Sequence, residues 1–318
     1  MVSRLLKATE RSLRLLATRV AVRTGAALAP ERTARFVARQ FFRTVRPEPQ
    51  RFAITAPTIG QLAVPDGEVT TYSWGVTERD PTILLIHGWN GWSQQMERFV
   101  APLQARGFAV MAFDHVAHGA SRGDRASLPI IIRTVEHVLK ELPQPAGIVA
   151  HSIGAAATAA VLASGGHTLR GAVLIAPPSD PRPYLTRLAL LMGAPARLLA
   201  SIQHAAERMA GTKFERLVAR PSQTQHIRTP LMIVHDVDDN EVPISNGYAY
   251  SSAPQVRVLA TDGLGHRRIL RDLHVVDSAA AFIACSQPPR RSDSLPVRAP
   301  EAEGTPYGVR HAALLPAA

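Results

Sequence analysis

The chain has 318 residues, 46% of them hydrophobic, enough for a full core in one large domain or two smaller ones. A single cysteine, Cys285, excludes an internal disulfide and any metal site built on cysteines, which fits a reducing, cytoplasmic setting. The formal charge of +11 is concentrated at one end: residues 1–51 hold twelve Lys and Arg against three acids, a net +9, so the charge says little about the partners of the rest.

Residues 1–50 read as a basic, helical arm. Leu5, Thr9, Leu13, Leu16 and Val20 share one side of a helical wheel, with Arg4, Lys7, Arg11 and Arg14 opposite. Such a helix has three uses: packing on its own domain or a partner subunit, lying on an anionic membrane surface, or targeting. Arginines interrupt every candidate apolar core of a secretory signal, and no run approaches the ~20 apolar residues of a membrane-spanning helix. Aromatics are not interleaved with the basic residues until Phe36, so no nucleic acid is expected as a partner. The expected location is the cytoplasm, with peripheral membrane attachment as the alternative. A second helix is predicted over Glu31–Val45, placing Phe36, Val37, Phe41 and Val45 near one face and ended by Pro47 and Pro49.

From residue 52 the rhythm changes, and the main domain is expected to span 52–284. Strands are predicted at Val69–Trp74, Thr82–Ile86, Phe108–Phe113, Ile148–Ala150, Ala172–Ile175, Leu231–Val234 and Val256–Ala260. Helices are predicted between most of them, at Gln94–Arg106, Pro129–Leu142, Ile153–Ala163 and Ile269–Ile283. Continuous apolar strands alternating with helices indicate an α/β fold with a doubly wound, mostly parallel sheet of about eight strands. The alternation breaks at about 178–229, a helical stretch without a convincing strand. Inserted after the sixth strand, it would cover the carboxyl ends of the strands, where ligands bind in open α/β sheets. We read it as a cap, with ordinary surface helices as the plainer alternative. The tail over 286–318 is rich in Pro, Ser and Arg and is expected to be disordered.

Three residues stand out chemically. Ser152 lies in Ala150-His151-Ser152-Ile153-Gly154, between an apolar strand and a helix of small residues. That is the setting of a nucleophile elbow, where a strained turn demands small neighbours on either side. A serine needs a base to take its proton and a third group to orient the base. His266, in Gly263-Leu264-Gly265-His266, and Asp239, in Asp239-Asn240-Glu241-Val242-Pro243, each follow a separate predicted strand. In a parallel sheet all three would project from one edge. Asp236 and Asp238 rival Asp239, and the Asp-x-x-Val-Pro spacing favours Asp239.

These motifs, with His87-Gly88-Trp89, Phe113-Asp114 and His118-Gly119-Ala120-Ser121, resemble the α/β-hydrolase superfamily, specifically its serine esterase, lipase and lysophospholipase-like members. The resemblance spans roughly residues 52–284. It implies Ser152 as nucleophile, His266 as general base and Asp239 as orienting acid. It also implies an oxyanion hole from the backbone N–H groups of Trp89 and Ile153. Gly88, Trp92 and His151 are expected around the substrate pocket, with core packing as the alternative for Trp92 and His151. His87 and His118 match positions that are usually structural. The other histidines show no metal-ligand spacing, and the chemistry calls for no cofactor. Ala150, where the common elbow has Gly, is still small.

The expected function is hydrolysis of a carboxylic ester or thioester, a small-molecule acyl substrate, through an acyl-enzyme. Acyl transfer or carbon–carbon bond cleavage by the same residues is the alternative within enzymes. A non-catalytic module of this fold, brought to a membrane or partner by residues 1–50, is the alternative outside them.

Overall fold

A computed structural model describes the backbone of residues 2–46, 52–167 and 169–286, and side chains from residue 12 onward. Its chain order is α1 (Val2–Leu28), α2 (Pro30–Phe41), β1 (Thr58–Val64), β2 (Gly67–Trp74), β3 (Thr82–Ile86), a 3-10 stretch (Ser93–Phe99) running into α3 (Val100–Gln104), β4 (Ala109–Phe113), α4 (Leu128–Glu141), β5 (Pro145–His151), α5 (Ile153–Ala163) and β6 (Gly171–Ile175). There follow α6 (Arg182–Leu191), α7 (Leu199–Ala210), α8 (Pro221–Thr224), β7 (Leu231–Asp236), α9 (Ser245–Tyr248), β8 (Val256–Thr261), α10 (Gly265–Arg268) and α11 (Leu273–Cys285).

The eight strands form one sheet in the order β1-β2-β4-β3-β5-β6-β7-β8. β1 and β2 pair antiparallel, as do β2 and β4, and every later pairing is parallel. Alternate residues of the central strands supply two separate cores, because successive side chains point to opposite faces. Leu84, Ile86, Ile148, Ala150, Leu174 and Ile233 face α4 and α5. Ile83, Leu85, Val149, Val173, Ile175 and Val234 face α3 and α11. Being covered on both sides, β3 and β6 are buried along their whole length and read in sequence as unbroken apolar runs. β1 was not among the predicted strands. It is a mostly exposed edge strand in which Gly60 and Gln61 break the apolar pattern, and its pairing with β2 through a turn at Pro65–Asp66 defines it.

The N-terminal helices are not a free arm. α2 packs Ala34, Val37 and Ala38, with Val22 and Ala26 of α1, into a third core shared with Leu185 and Ala189 of α6, Ile202, Ala205 and Ala206 of α7, and Phe214. The helical stretch between β6 and β7 thus has its own core, completed by residues from the start of the chain. Leu198 is buried there, and Leu188 and Leu199 pack against it, so these leucines serve the helices rather than the sheet edge.

α2 also ends earlier than expected, at Phe41. Beyond it the backbone pairs with a distant loop: Ala126 N–H donates to Phe42 O, Thr44 N–H to Asp124 O and the Thr44 hydroxyl to Ala117 O. Those bonds replace the helical ones that a continuation to Val45 would need. Phe36 and Val45 are accordingly exposed, whereas Val37 is buried. Pro47, Pro49 and residues 287–318 of the tail lie outside the described residues.

Candidate active site

Three successive parallel crossovers bring the key groups to one edge of the sheet. β5 ends at His151 and Ser152 follows at the turn into α5, with φ 52° and ψ −125°. Positive φ is costly for a residue with a Cβ and persists only where the surroundings enforce it. Here the Ser152 N–H donates to Ile175 O of β6 at 2.8 Å, and the Ser152 carbonyl accepts from Ala155 and Ala156. Gly154 lets α5 come down on β3: a Cβ there would stand 2.5 Å from His87 O and 2.7 Å from Ile86 Cγ2.

Asp239 follows β7 and His266 follows β8, and the three side chains meet. His266 Nδ1 lies 2.7 Å from Asp239 Oδ2, and His266 Nε2 lies 3.0 Å from Ser152 Oγ. Asp239 is fully committed, because its Oδ1 accepts the N–H groups of Glu241 and Val242, both at 2.8 Å. Burial pushes the Asp239 carboxyl up, but the His266 bond and those two amides outweigh it and hold the group below its ordinary range. An ionised Asp239 fixes the proton of a neutral His266 on Nδ1, leaving Nε2 free to accept from the Ser152 hydroxyl.

The rival aspartates are placed differently. Asp238 is exposed. Asp236 is buried and accepts the Thr261 hydroxyl and the N–H groups of Asp238 and Leu264. It therefore ties the Asp239 loop to the His266 loop without touching His266.

The loop after β3 crosses above the serine. A Cβ on Gly88 would sit 2.9 Å from both Ser152 Cβ and His151 Nδ1, so only glycine fits. Gly88 O accepts from His87 Nδ1 at 2.7 Å and from Gly91 N–H at 3.0 Å. The C=O and N–H of a trans peptide point in opposite directions. Anchoring the Gly88 carbonyl inward therefore turns the Trp89 N–H the other way. His87 is neutral in this arrangement: burial lowers its pKa, and its Nε2 accepts from His115 N–H. Ile153 begins α5, so its N–H is among the amides at a helix start with no intrahelical acceptor.

Among residues expected at the pocket, His151 has another task. It is buried, and its Nε2 donates to His266 O at 2.9 Å with the two rings 4.6 Å apart. Burial, and then the proximity of His266, lower its pKa to about 3, so it is a neutral strut behind the His266 ring. The Trp89 ring packs edge-on to His118. Trp92 is half-buried, with a buried indole N–H that has no hydrogen-bond partner among the described residues.

Sequence reasoning missed several supports. Asp114 accepts from Tyr72 OH, from Ser93 N–H and Oγ–H, and from Ala120 N–H, joining β2 and the start of the 3-10 stretch to its own loop. Asn90 adopts φ 53°, and its Oδ1 accepts Val45 N–H at 2.8 Å, so the segment after α2 holds the loop that carries Trp89. The Asn-Gly pair at 90–91 signals a turn, but nothing in the sequence points from Asn90 to Val45. From α6, Tyr184 is half-buried close enough for burial and the Asp239 charge to raise its pKa to about 12.

The sequence pattern of the family described as serine aminopeptidase, S33, matches residues 77–233. A search of curated proteins found no match. Many solved structures share the fold. The esterase RhEst1 from Rhodococcus sp. ECU1013 is 19% identical, with a TM-score of 0.55 over 72% of this chain and 99% of that one. The esterase Pf2001 from Pyrococcus furiosus is 19% identical, with a TM-score of 0.53 over 76% and 96%. A membrane phospholipase A, described as a bacterial virulence factor, is 17% identical, with a TM-score of 0.54 over 88% and 98%.

Proposed function

The chain belongs to the α/β-hydrolase superfamily, and from that premise we propose that it is a serine hydrolase of carboxylic esters or thioesters working through an acyl-enzyme. The observation that carries this reading is the unbroken chain Asp239 Oδ2–His266–Ser152 Oγ, at 2.7 and 3.0 Å, with Ser152 held at positive φ. The Ser152 oxygen attacks the substrate carbonyl carbon while His266 Nε2 takes its proton. The resulting oxyanion rests on the N–H groups of Trp89 and Ile153, which are fixed before the substrate arrives. His266 returns the proton to the departing alcohol or thiol as the carbon–oxygen or carbon–sulfur bond breaks. Water then attacks the acyl-enzyme by the same route, giving the free acid and restoring Ser152. Asp239 stays ionised and balances the imidazolium that forms at each step.

The test is direct. Ser152→Ala abolishes hydrolysis of p-nitrophenyl esters while the protein stays folded, and a fluorophosphonate labels wild type but not the variant. Undiminished turnover by Ser152→Ala would overturn the assignment. A panel of esters of graded acyl length then defines the substrate.

A further inference from the structure

α1 is turned the opposite way from what its hydrophobicity alone dictates. Leu15, Thr18, Val22 and Ala26 recur at helical spacing and face the protein: Val22 is 1% exposed and Ala26 4%, with Leu15 and Thr18 half-buried. The larger apolar stripe faces solvent, with Leu13 61%, Leu16 59% and Val20 57% exposed. Arg19 and Arg23 lie along one flank of that stripe and Ala17 and Ala21 along the other. The end of α6 meets α1 at the same place. Arg19 Nε donates to Leu191 O at 2.9 Å, and a Cβ on Gly193 would stand 3.1 Å from Arg19 Cα. Leu190 and Leu191 are themselves half exposed, at 51% and 49%.

We propose that Leu13, Leu16 and Val20, with Leu190 and Leu191 beside them, form a docking surface for an anionic lipid bilayer. α1 lies in the interfacial plane with its leucines among the acyl chains, and Arg19 and Arg23 reach the lipid phosphates. Charge decides between occupants. Arg19 and Arg23 flank the stripe and no acidic residue lies between Glu10 and Glu31, so a second copy would set like charges together, whereas an anionic surface neutralises them. Among the described residues no helix is long and apolar enough to cross a membrane, which fits a helix lying on the surface. The contact at Leu191 ties the docked helix to α6, whose Tyr184 lies near Asp239. Docking therefore brings the cap to the lipid, where, if the proposed hydrolase reading holds, acyl esters are presented.

The test is flotation of the full chain with vesicles of phosphatidylcholine plus phosphatidylglycerol, against phosphatidylcholine alone. The variant is Leu13→Asp combined with Leu16→Asp and Val20→Asp. Deleting α1 is unsuitable, because Val22 and Ala26 help to close the cap's core. Wild type is expected to partition onto the anionic vesicles about tenfold more strongly than onto neutral ones, and the advantage shrinks at high salt. The triple variant, with an unchanged melting temperature, loses about tenfold in partitioning. Equal flotation of variant and wild type overturns the proposal. So does a wild-type dimer in light scattering that fails to float and that the variant dissolves, since the occupant is then a second copy. Ser152→Ala is expected to float like wild type, so docking is read separately from hydrolysis.

Discussion

Asp239→Asn separates geometry from chemistry at the site. Asp239 Oδ1 accepts two backbone amides at 2.8 Å, and an asparagine oxygen in the same place keeps both. Its NH2 group then takes the position of Oδ2, 2.7 Å from His266 Nδ1. A donor facing Nδ1 requires that nitrogen to be bare, which moves the imidazole proton to Nε2. That nitrogen lies 3.0 Å from Ser152 Oγ and can no longer accept its proton. A wrong tautomer in such an arrangement costs about 10⁴-fold in kcat, or ~5 kcal/mol of transition-state stabilisation. The loop bonds survive, so the melting temperature should move by no more than about 4 °C. Initial rates with a p-nitrophenyl ester, alongside thermal unfolding, give both numbers, and Asp238→Asn at an exposed position serves as the control. The reasoning fails if Asp239→Asn retains activity within tenfold of wild type, or if Asp238→Asn falls equally far.

Gly154→Ala drives a methyl group into His87 O and Ile86 Cγ2, so α5 must lift from β3. A loss of about 3 kcal/mol in urea unfolding and a collapse of activity are expected, and a variant as stable as wild type would refute the close approach. Asn90→Ala leaves Val45 N–H without its acceptor and puts alanine at φ 53°. It should lower kcat roughly tenfold with KM little changed, and Asn90→Asp should restore most of it; equal loss in both variants would count against the clamp. His118 and His151 have pKa values lowered from 6.5 to about 3, chiefly by burial, while the unfolded chain protonates them below about 6.5. The unfolded chain therefore binds more protons between pH 6.5 and 3, and stability falls as pH is lowered through that window. Each histidine accounts for about 2 kcal/mol at pH 5. Urea unfolding at pH 7.5 and 5 measures it, and a flat profile would contradict the buried neutral state.

The parts legible in the sequence are those governed by local chemistry. The central strands are buried on both faces, so their apolar runs stand out, and α5 runs from Ile153 to Ala163 as its composition predicts. Ser152, Asp239 and His266 were each singled out by their place just after a predicted strand, and the fold brings their side chains together. β1 was not legible, because a short, mostly exposed edge strand interrupted by Gly60 and Gln61 shows neither a continuous apolar run nor a regular alternation. His151, for which pocket lining and core packing were both open, shows a related limit. A histidine beside a serine looks like pocket lining until the His266 carbonyl appears 2.9 Å from it.

The N-terminal fifty residues draw the line most clearly. Their composition points to basic, amphipathic helices, and α1 and α2 form over Val2–Leu28 and Pro30–Phe41, because helix propensity and periodicity act within a few turns. Composition could not determine which side of α1 packs inward. That depends on Leu185, Ala189 and Ile202, more than 150 residues away, whose surface takes the side bearing Val22 and Ala26 and leaves Leu13, Leu16 and Val20 outside. The same distance hid the bond from Val45 to Asn90. Residue types and local order follow from the chain itself, whereas the partners of each face are chosen only when remote segments compete for the same surface.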